Sequence, residues 1–299
     1  MRVLFVFNPL SGMGQIKNHL LGIINRFSEA GYDLTVYATQ AHLDAYNLIK
    51  DRGSDFSLVV CAGGDGTLNE VINGLMSLKE KPMLGYIPAG STNDYAASLK
   101  LPKNMIKASE LIVNGTTSSF DVGYFNDKYF IYVAAFGAFT SVSYNTPQES
   151  KNLVGHLAYV FEGIKTVGSI KEYHMKVICD DQQFDETFVY GMVTNTLSVG
   201  GIYKLSSKDV ELDDGLFEVM LIKAPKTAID LSSITSFLLG IETHSPFVEV
   251  VKTSRIQFIA DEEIPWTLDG EFGGNQNKVD IINKKRAINI IDHEKEKAV

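Results

Sequence analysis

The densest concentration of reactive and ligand-binding residue types lies in Ala62-Gly63-Gly64-Asp65-Gly66-Thr67-Leu68-Asn69-Glu70. Three glycines around one aspartate let the backbone turn tightly and approach a ligand closely, because they carry no Cβ and accept positive φ at little cost. Thr67 is placed to cap a following helix, whose first amides and dipole favour an anion at the same spot. Phosphate suits such a turn. A carboxylate among phosphates is repulsive unless a hard cation such as Mg²⁺ lies between them, so Asp65 points to phosphate handled together with a metal. Two further acidic segments stand out. In Glu211-Leu212-Asp213-Asp214-Gly215-Leu216 a carboxylate before glycine lets the chain double back, so that backbone carbonyls and waters can share an octahedral cation; an Asp-Gly turn without metal reads equally from these residues. In Trp266-Thr267-Leu268-Asp269-Gly270-Glu271, Asp-Gly is a hairpin turn with a glutamate just beyond it.

The elements that must position these groups alternate through the first third of the chain. Residues 2–7 form a buried strand ending at Asn8-Pro9-Leu10-Ser11-Gly12-Met13-Gly14, followed by an amphipathic helix marked by Leu20, Leu21, Ile23, Ile24 and Phe27 and closed at Gly31. Residues 32–39 are the next strand, 41–52 a helix, 57–62 the third strand, 67–78 the helix on the glycine turn, and 83–87 a fourth strand feeding Pro88-Ala89-Gly90-Ser91-Thr92-Asn93-Asp94. Asn93 and Asp94 are also apt caps for the helix that follows. This alternation predicts a parallel sheet covered on both faces, with ligands at the carboxyl ends of its strands, where every glycine-rich loop falls. Near Asp121 the rhythm changes to long β runs and turns, with hairpins over 124–130 and 173–195 and helices expected at 153–167 and 228–239. The expected organisation is therefore an α/β nucleotide-binding domain over 1–121, rejoined by a C-terminal segment at about 287–299 whose run 287–291 is one more strand, and a β-rich antiparallel domain over 122–286.

Composition narrows the partners. The chain has 299 residues and a formal charge of −9, with a pI near 5.2, which opposes nucleic-acid binding and anchoring to anionic lipid by overall charge. Cys61 and Cys179 fall in apolar strand-like runs and read as reduced core residues, which suits the cytoplasm. The N-terminal apolar run is too short for a signal-peptide core, and no apolar stretch approaches the roughly 18 residues a spanning helix needs. A P-loop is excluded because no Gly-Lys-Ser/Thr follows the central turn, and Gly12-Met13-Gly14-Gln15-Ile16-Lys17 lacks the last glycine of the dinucleotide fingerprint.

Five segments in order, Asn8–Gly12, Gly63–Glu70, Pro88–Asp94, Leu212–Gly215 and Leu268–Glu271, resemble the diacylglycerol-kinase-like lipid kinases, in particular the soluble bacterial diacylglycerol kinases, relatives of sphingosine kinases and more distantly of NAD kinases. The resemblance spans nearly the whole chain. It implies a two-domain fold shared with those kinases and transfer of the ATP γ-phosphate to the hydroxyl of diacylglycerol, giving phosphatidic acid. Another hydroxylated lipid or NAD are the alternative acceptors. By position, Asn8, Pro9, Leu10, Ser11 and Gly12, then Thr39, then Gly64, Asp65, Gly66, Thr67, Leu68, Asn69 and Glu70, and finally Thr92 are expected to line the nucleotide. Asp65 also positions Mg²⁺-bound phosphates, with Asp94 and Asp121 in the same carboxylate network. Glu271 matches the family's proton acceptor, and Asp214, with the carbonyls of Glu211 and Leu216, its structural Mg²⁺ site. The expected partners are diacylglycerol or a similar lipid, a membrane surface met peripherally during catalysis by an otherwise cytoplasmic protein, and a second copy of the chain in a homodimer. Lys100, Lys103 and Lys107, with Lys284-Lys285-Arg286, are the basic groups available for that surface.

Overall fold

A computed structural model describes residues 1–137, 170–180, 182–195 and 211–294. The helix expected at 153–167 lies outside these residues. The chain divides into two units, Met1–Val122 with Arg286–Val299, and Gly123–Lys285.

In the first unit, strands β1 (Arg2–Phe7), β2 (Asp33–Ala38), β3 (Leu58–Gly63) and β4 (Met83–Pro88) pair in parallel in the order β4-β3-β1-β2. Val3 through Val6 and Leu58 through Ala62 are fully buried, as expected of strands covered on both faces. Alternation sends Val3, Phe5, Leu58, Val60 and Ile87 to one face. There they meet Ile16, Ile23 and Phe27 of helix α1 (Ile16–Glu29) and Met105, Ala108 and Ile112 of a later helix. Leu4, Val6, Val59 and Cys61 point to the other face and are equally buried. Helix α2 (Asp44–Arg52) packs on α3 (Asp65–Met76), and α3 lies against β3. A Cβ on Gly74 would sit 2.7 Å from Ile49, so this helix contact needs glycine.

The chain continues through the short helix α4 (Asp94–Ser98) and α5 (Met105–Asn114). The sequence reading did not mark α5, although Asn104 gives it a full cap, accepting from the amides of Ile106 and Lys107 at 3.0 Å each. Residues 101–114 carry an apolar face at Leu101, Met105, Ala108, Leu111 and Ile112, all buried, while Lys103 and Lys107 are exposed.

Strand β5 (Gly115–Phe125) leads into the second unit, which holds β6 (Lys128–Phe130), β7 (Val133–Gly137), β8 (Tyr173–Cys179), β9 (Gln182–Thr194), β10 (Phe217–Lys223), helix α6 (Ala228–Leu238), β11 (Val248–Thr253) and β12 (Arg255–Leu268). The final strand, β13 (Glu271–Glu294), starts there and ends in the first unit. The strand pairs among the described residues of the second unit are antiparallel. The two long strands β9 and β12 each change partner, pairing with β8 along one part and β7 along another, so the four close on themselves. Their interior is aromatic: Trp266 contacts Phe125, Phe136 and Phe258, with ring centroids 4.8–5.1 Å apart. Helix α6 buries Ile234, Phe237 and Leu238 against Tyr190, Met192, Met220 and Ile222 in a second core. A reciprocal Thr227–Asp230 capping box fixes its start. Both cysteines are buried and free. No helix among the described residues is long and apolar enough to cross a membrane.

Candidate active site

In the first unit the carboxyl ends of β1, β3 and β4 carry three loops that touch backbone to backbone. A Cβ on Gly12 would lie 2.3 Å from the carbonyl oxygen of Ala89, and one on Gly90 only 2.5 Å from the Cα of Gly64. Gly12 and Met13 are both left-handed, at φ 55° and 59°. The result is a cradle lined by main chain, the kind of surface to which a phosphate can come close. From below, the buried Tyr86 hydroxyl bridges two of the loops, 3.2 Å from the Gly63 carbonyl and 3.3 Å from Asn93 Oδ1.

Thr67 does not cap α3. The helix begins two residues earlier, at Asp65, with Gly64 in the cap position and no side chain to offer. Thr67 instead accepts from Asn8 Nδ2 at 3.3 Å, while Asn8 Oδ1 takes the Leu10 amide at 2.9 Å, so the loop after β1 is held to α3. Nor does Asn93 cap α4: it is left-handed at φ 55°, and its amide folds back onto both the N–H and the C=O of Gly90. Asp65 performs that task, accepting from the amides of Asp94 at 3.1 Å and Tyr95 at 3.3 Å. Glu70 accepts from the amides of Leu43 and Ala45. Leu68 is core, its amide bonded to Gly64 O. The Thr39 amide donates to Phe7 O at 2.9 Å, which places Thr39 beside the start of the Asn8 loop. Leu10 and Thr92 are exposed. Asp121, fully buried, accepts from the Arg286 amide at 2.7 Å and ties β5 to the returning segment of β13.

Burial pushes the Asp65 carboxyl above its ordinary value, against the downward pull of the amides it accepts. Asp94 is raised to about 6, by burial first and by the charge of Asp65 second. Two acids raised by burial, the second also by the charge of the first, fit a bound cation, which relieves both effects. No group of three or more His, Cys, Asp or Glu residues is arranged around a point among the described residues, so any cation here or at Asp214 relies on phosphate, carbonyl or water oxygens as well.

In the second unit, Asp214 Oδ1 accepts from the Leu216 amide at 2.8 Å and Gly215 takes φ 85°, while the Leu216 carbonyl accepts from Asn283 Nδ2 at 3.2 Å. Beside this turn two buried oxygens, Glu218 Oε2 and Asn283 Oδ1, have no hydrogen-bond partner among the described residues. Glu218 reaches Lys252 at 3.2 Å through its other oxygen, yet burial raises its carboxyl to about 7, and the charge of Asp214 adds to the rise. Unsatisfied acceptors around an Asp-Gly turn fit a cation, with Glu211, the remaining member of the predicted set, exposed next to it in sequence. Asp269 and Gly270, at φ 51° and 84°, make the tight turn between β12 and β13 and leave Glu271 as the exposed first residue of β13. The Asp269 carboxylate is buried and accepts from three successive amides, Ile131 at 2.7 Å, Tyr132 at 2.9 Å and Val133 at 3.0 Å.

Comparison with known proteins matches the model of the diacylglycerol kinase catalytic domain to residues 2–125 and that of the YegS C-terminal NAD kinase beta sandwich-like domain to residues 134–289. A diacylglycerol kinase of Bacillus subtilis (strain 168) is 35% identical over 275 residues, covering 91% of this chain and 90% of that protein. The chain belongs to the diacylglycerol kinase family. Another member, the diacylglycerol kinase of Staphylococcus aureus (strain MRSA252), is 32% identical over 291 residues, 97% of this chain and 91% of its own. Among solved structures, a Bacillus anthracis (strain Sterne) protein described as a candidate diacylglycerol kinase is 26% identical with a TM-score of 0.82, covering 98% of this chain and 95% of that one. A further B. anthracis structure, 24% identical with a TM-score of 0.80 over 97% of this chain and 96% of its own, shares the fold.

Family motifs singled out Asp65, Thr67 and Glu70 as ligands, whereas their visible contacts are clamps on neighbouring loops. Tyr86 and Asp269 went unmarked. A tyrosine inside an apolar strand carries no signal of where its hydroxyl goes, and Asp before Gly reads as turn chemistry alone. The clue available for Asp269 was the run Phe130-Ile131-Tyr132-Val133, whose amides had to find acceptors.

Proposed function

We propose that this chain transfers the γ-phosphate of ATP to the hydroxyl of diacylglycerol, giving phosphatidic acid and ADP. The observation that carries the reading is the backbone cradle where Gly12, Gly64 and Gly90 let three loops meet at the carboxyl ends of parallel strands. In it Asn8–Gly12, Thr39, Gly64–Glu70 and Thr92 surround the nucleotide, chiefly through main-chain amides. Asp65 and Asp94, with Asp121 as a further member of the carboxylate network, would hold Mg²⁺, which would supply neutralisation of phosphate charge.

Glu271 accepts the proton of the lipid hydroxyl. The freed oxygen bonds to the γ-phosphorus while the bond from that phosphorus to the β,γ-bridging oxygen breaks, and ADP leaves with the electron pair. A carboxylate suffices because the proton moves as charge develops in the transition state. The Asp269 turn fixes where Glu271 begins its strand. Asp214, with the carbonyls of Glu211 and Leu216, would hold a second, structural Mg²⁺, which would keep its own loop in shape. Because diacylglycerol stays in the bilayer, the protein works at a membrane surface from the cytoplasm, with Lys100, Lys103 and Lys107, all exposed, as the local attraction that overcomes its net negative charge. A homodimer accords with the reading but carries none of it.

The test is a side-by-side assay with labelled ATP and Mg²⁺ against diacylglycerol, other hydroxylated lipids and NAD. Diacylglycerol should take label fastest. Preferential labelling of another lipid would move the acceptor, and labelling of NAD alone would overturn the reading.

A further inference from the structure

Resting on the nucleotide site proposed above, we propose that Glu70 is a positioning residue: its carboxylate fixes the loop that carries Thr39, and ATP affinity depends on that carboxylate through the loop and without its touching the nucleotide.

Both carboxylate oxygens of Glu70 are engaged. Oε1 accepts from the Leu43 amide at 2.8 Å and Oε2 from the Ala45 amide at 3.2 Å. His42 Nδ1 lies 3.3 Å from Oε1, and the Glu70 side chain is only 15% exposed. These are charge-assisted bonds to the start of helix α2, and that helix has no cap of its own. Leu43, in the cap position, is left-handed at φ 63° and offers no acceptor. The neighbouring carboxylate of Asp44 is turned the other way, accepting from Tyr37 Oη at 2.9 Å and the Gln40 amide at 2.7 Å.

Thr39 therefore sits on a loop held at both ends. Its own amide is bonded to Phe7 O, and four residues later the chain is clamped by Glu70 from α3. Direct contact with the nucleotide is the poorer use of this side chain, since a further negative charge beside a triphosphate raises its energy unless another cation is added. The same half of α3 repeats the arrangement twice more. Thr67 holds the Asn8 loop, and Asp65 holds the amides that open α4. One helix thus sets the positions of three loops, and among the described residues the contacts of Glu70 all go to the loop at 42–45.

The experiment measures ATP affinity calorimetrically, and kcat and KM for ATP, on the full chain with Glu70→Ala, Glu70→Gln, Thr39→Ala and the Glu70→Ala/Thr39→Ala double variant. Glu70→Ala should weaken ATP by about tenfold while kcat at saturating ATP stays within about twofold, as expected when ground-state and transition-state binding are lost together. Glu70→Gln keeps one acceptor oxygen and should lose about threefold, which preserves the test if the alanine variant fails to fold. Residues acting as one unit are non-additive, so in the Thr39→Ala background the effect of Glu70→Ala should shrink to within about twofold. Fully additive losses, or a silent Thr39→Ala beside a tenfold loss in Glu70→Ala, overturn the proposal. So does unchanged ATP affinity with only a lowered unfolding midpoint. Failure of the unmodified chain to bind ATP at all is a separate result and removes the nucleotide site itself.

Discussion

Replacing Asp269 by alanine should be among the most damaging single changes in the second unit. Three amides, of Ile131, Tyr132 and Val133, donate to its carboxylate at 2.7–3.0 Å, and those of Ile131 and Val133 are buried. An unsatisfied buried amide costs about 1–3 kcal/mol, and alanine at φ 51° adds roughly 1 kcal/mol that aspartate partly escapes. Allowing for water reaching the half-buried Tyr132 amide, the loss is about 3–6 kcal/mol, a large part of the 5–15 kcal/mol that ordinarily holds a domain folded. Asp269→Asn keeps one acceptor oxygen and tolerates the left-handed backbone, so its cost should be about 1–2 kcal/mol. Urea unfolding followed by tryptophan fluorescence reads this well, because Trp266, three residues away in β12, is the only tryptophan and is buried in the core of that unit. At unchanged m-value the midpoint should fall in the order wild type, Asn, Ala. An alanine variant within about 1 kcal/mol of wild type would mean that the three amides find water or other acceptors and that the carboxylate does not hold the turn.

Asp94→Asn should stabilise the chain at neutral pH and flatten its pH dependence. The folded value near 6 exceeds the ordinary 3.8, so the stabilising contribution of Asp94 is fully present below 3.8 and lost as pH rises through about 6. Thermal melts from pH 4 to 7 should show it, and an Asn variant with the wild-type slope would contradict it. Asp214→Ala should lower the melting temperature in Mg²⁺ while leaving the nucleotide site in place, whereas Asp65→Ala should abolish ATP use; equal melting of wild type and Asp214→Ala in Mg²⁺ would remove the structural cation. Reversing Lys100, Lys103 and Lys107 to Glu should weaken binding to anionic vesicles by two orders of magnitude or more, since each lysine contributes roughly 1 kcal/mol there, with little change on detergent-dispersed substrate. Salt-insensitive, unchanged sedimentation would point to apolar docking.

Periodicity and turn chemistry made the strands of the first unit legible to within a residue or so at each end. Helix starts were less so. Residue 41 read as the opening of α2, but Leu43 is left-handed and the acceptor that starts the helix is Glu70, twenty-seven residues away. Thr67 read as a cap because threonine before an apolar run usually is one; Asp65 instead begins α3. The motif spacing located the candidate site, since glycines at close backbone approaches leave a mark in sequence. The partners of Asp65, Glu70 and Asp269 do not, because a carboxylate bonded to amides far along the chain has no local signature.

The most direct measurement is transfer of labelled γ-phosphate from ATP to diacylglycerol in mixed micelles, comparing the unmodified chain with Glu271→Gln and titrating nucleotide binding in parallel. The account predicts labelled phosphatidic acid from the former, a rate about 10²–10⁴ lower in the variant, and nearly equal ATP affinity in both. No label in diacylglycerol from the unmodified chain, or a Glu271→Gln rate within a few-fold of it, would contradict the account.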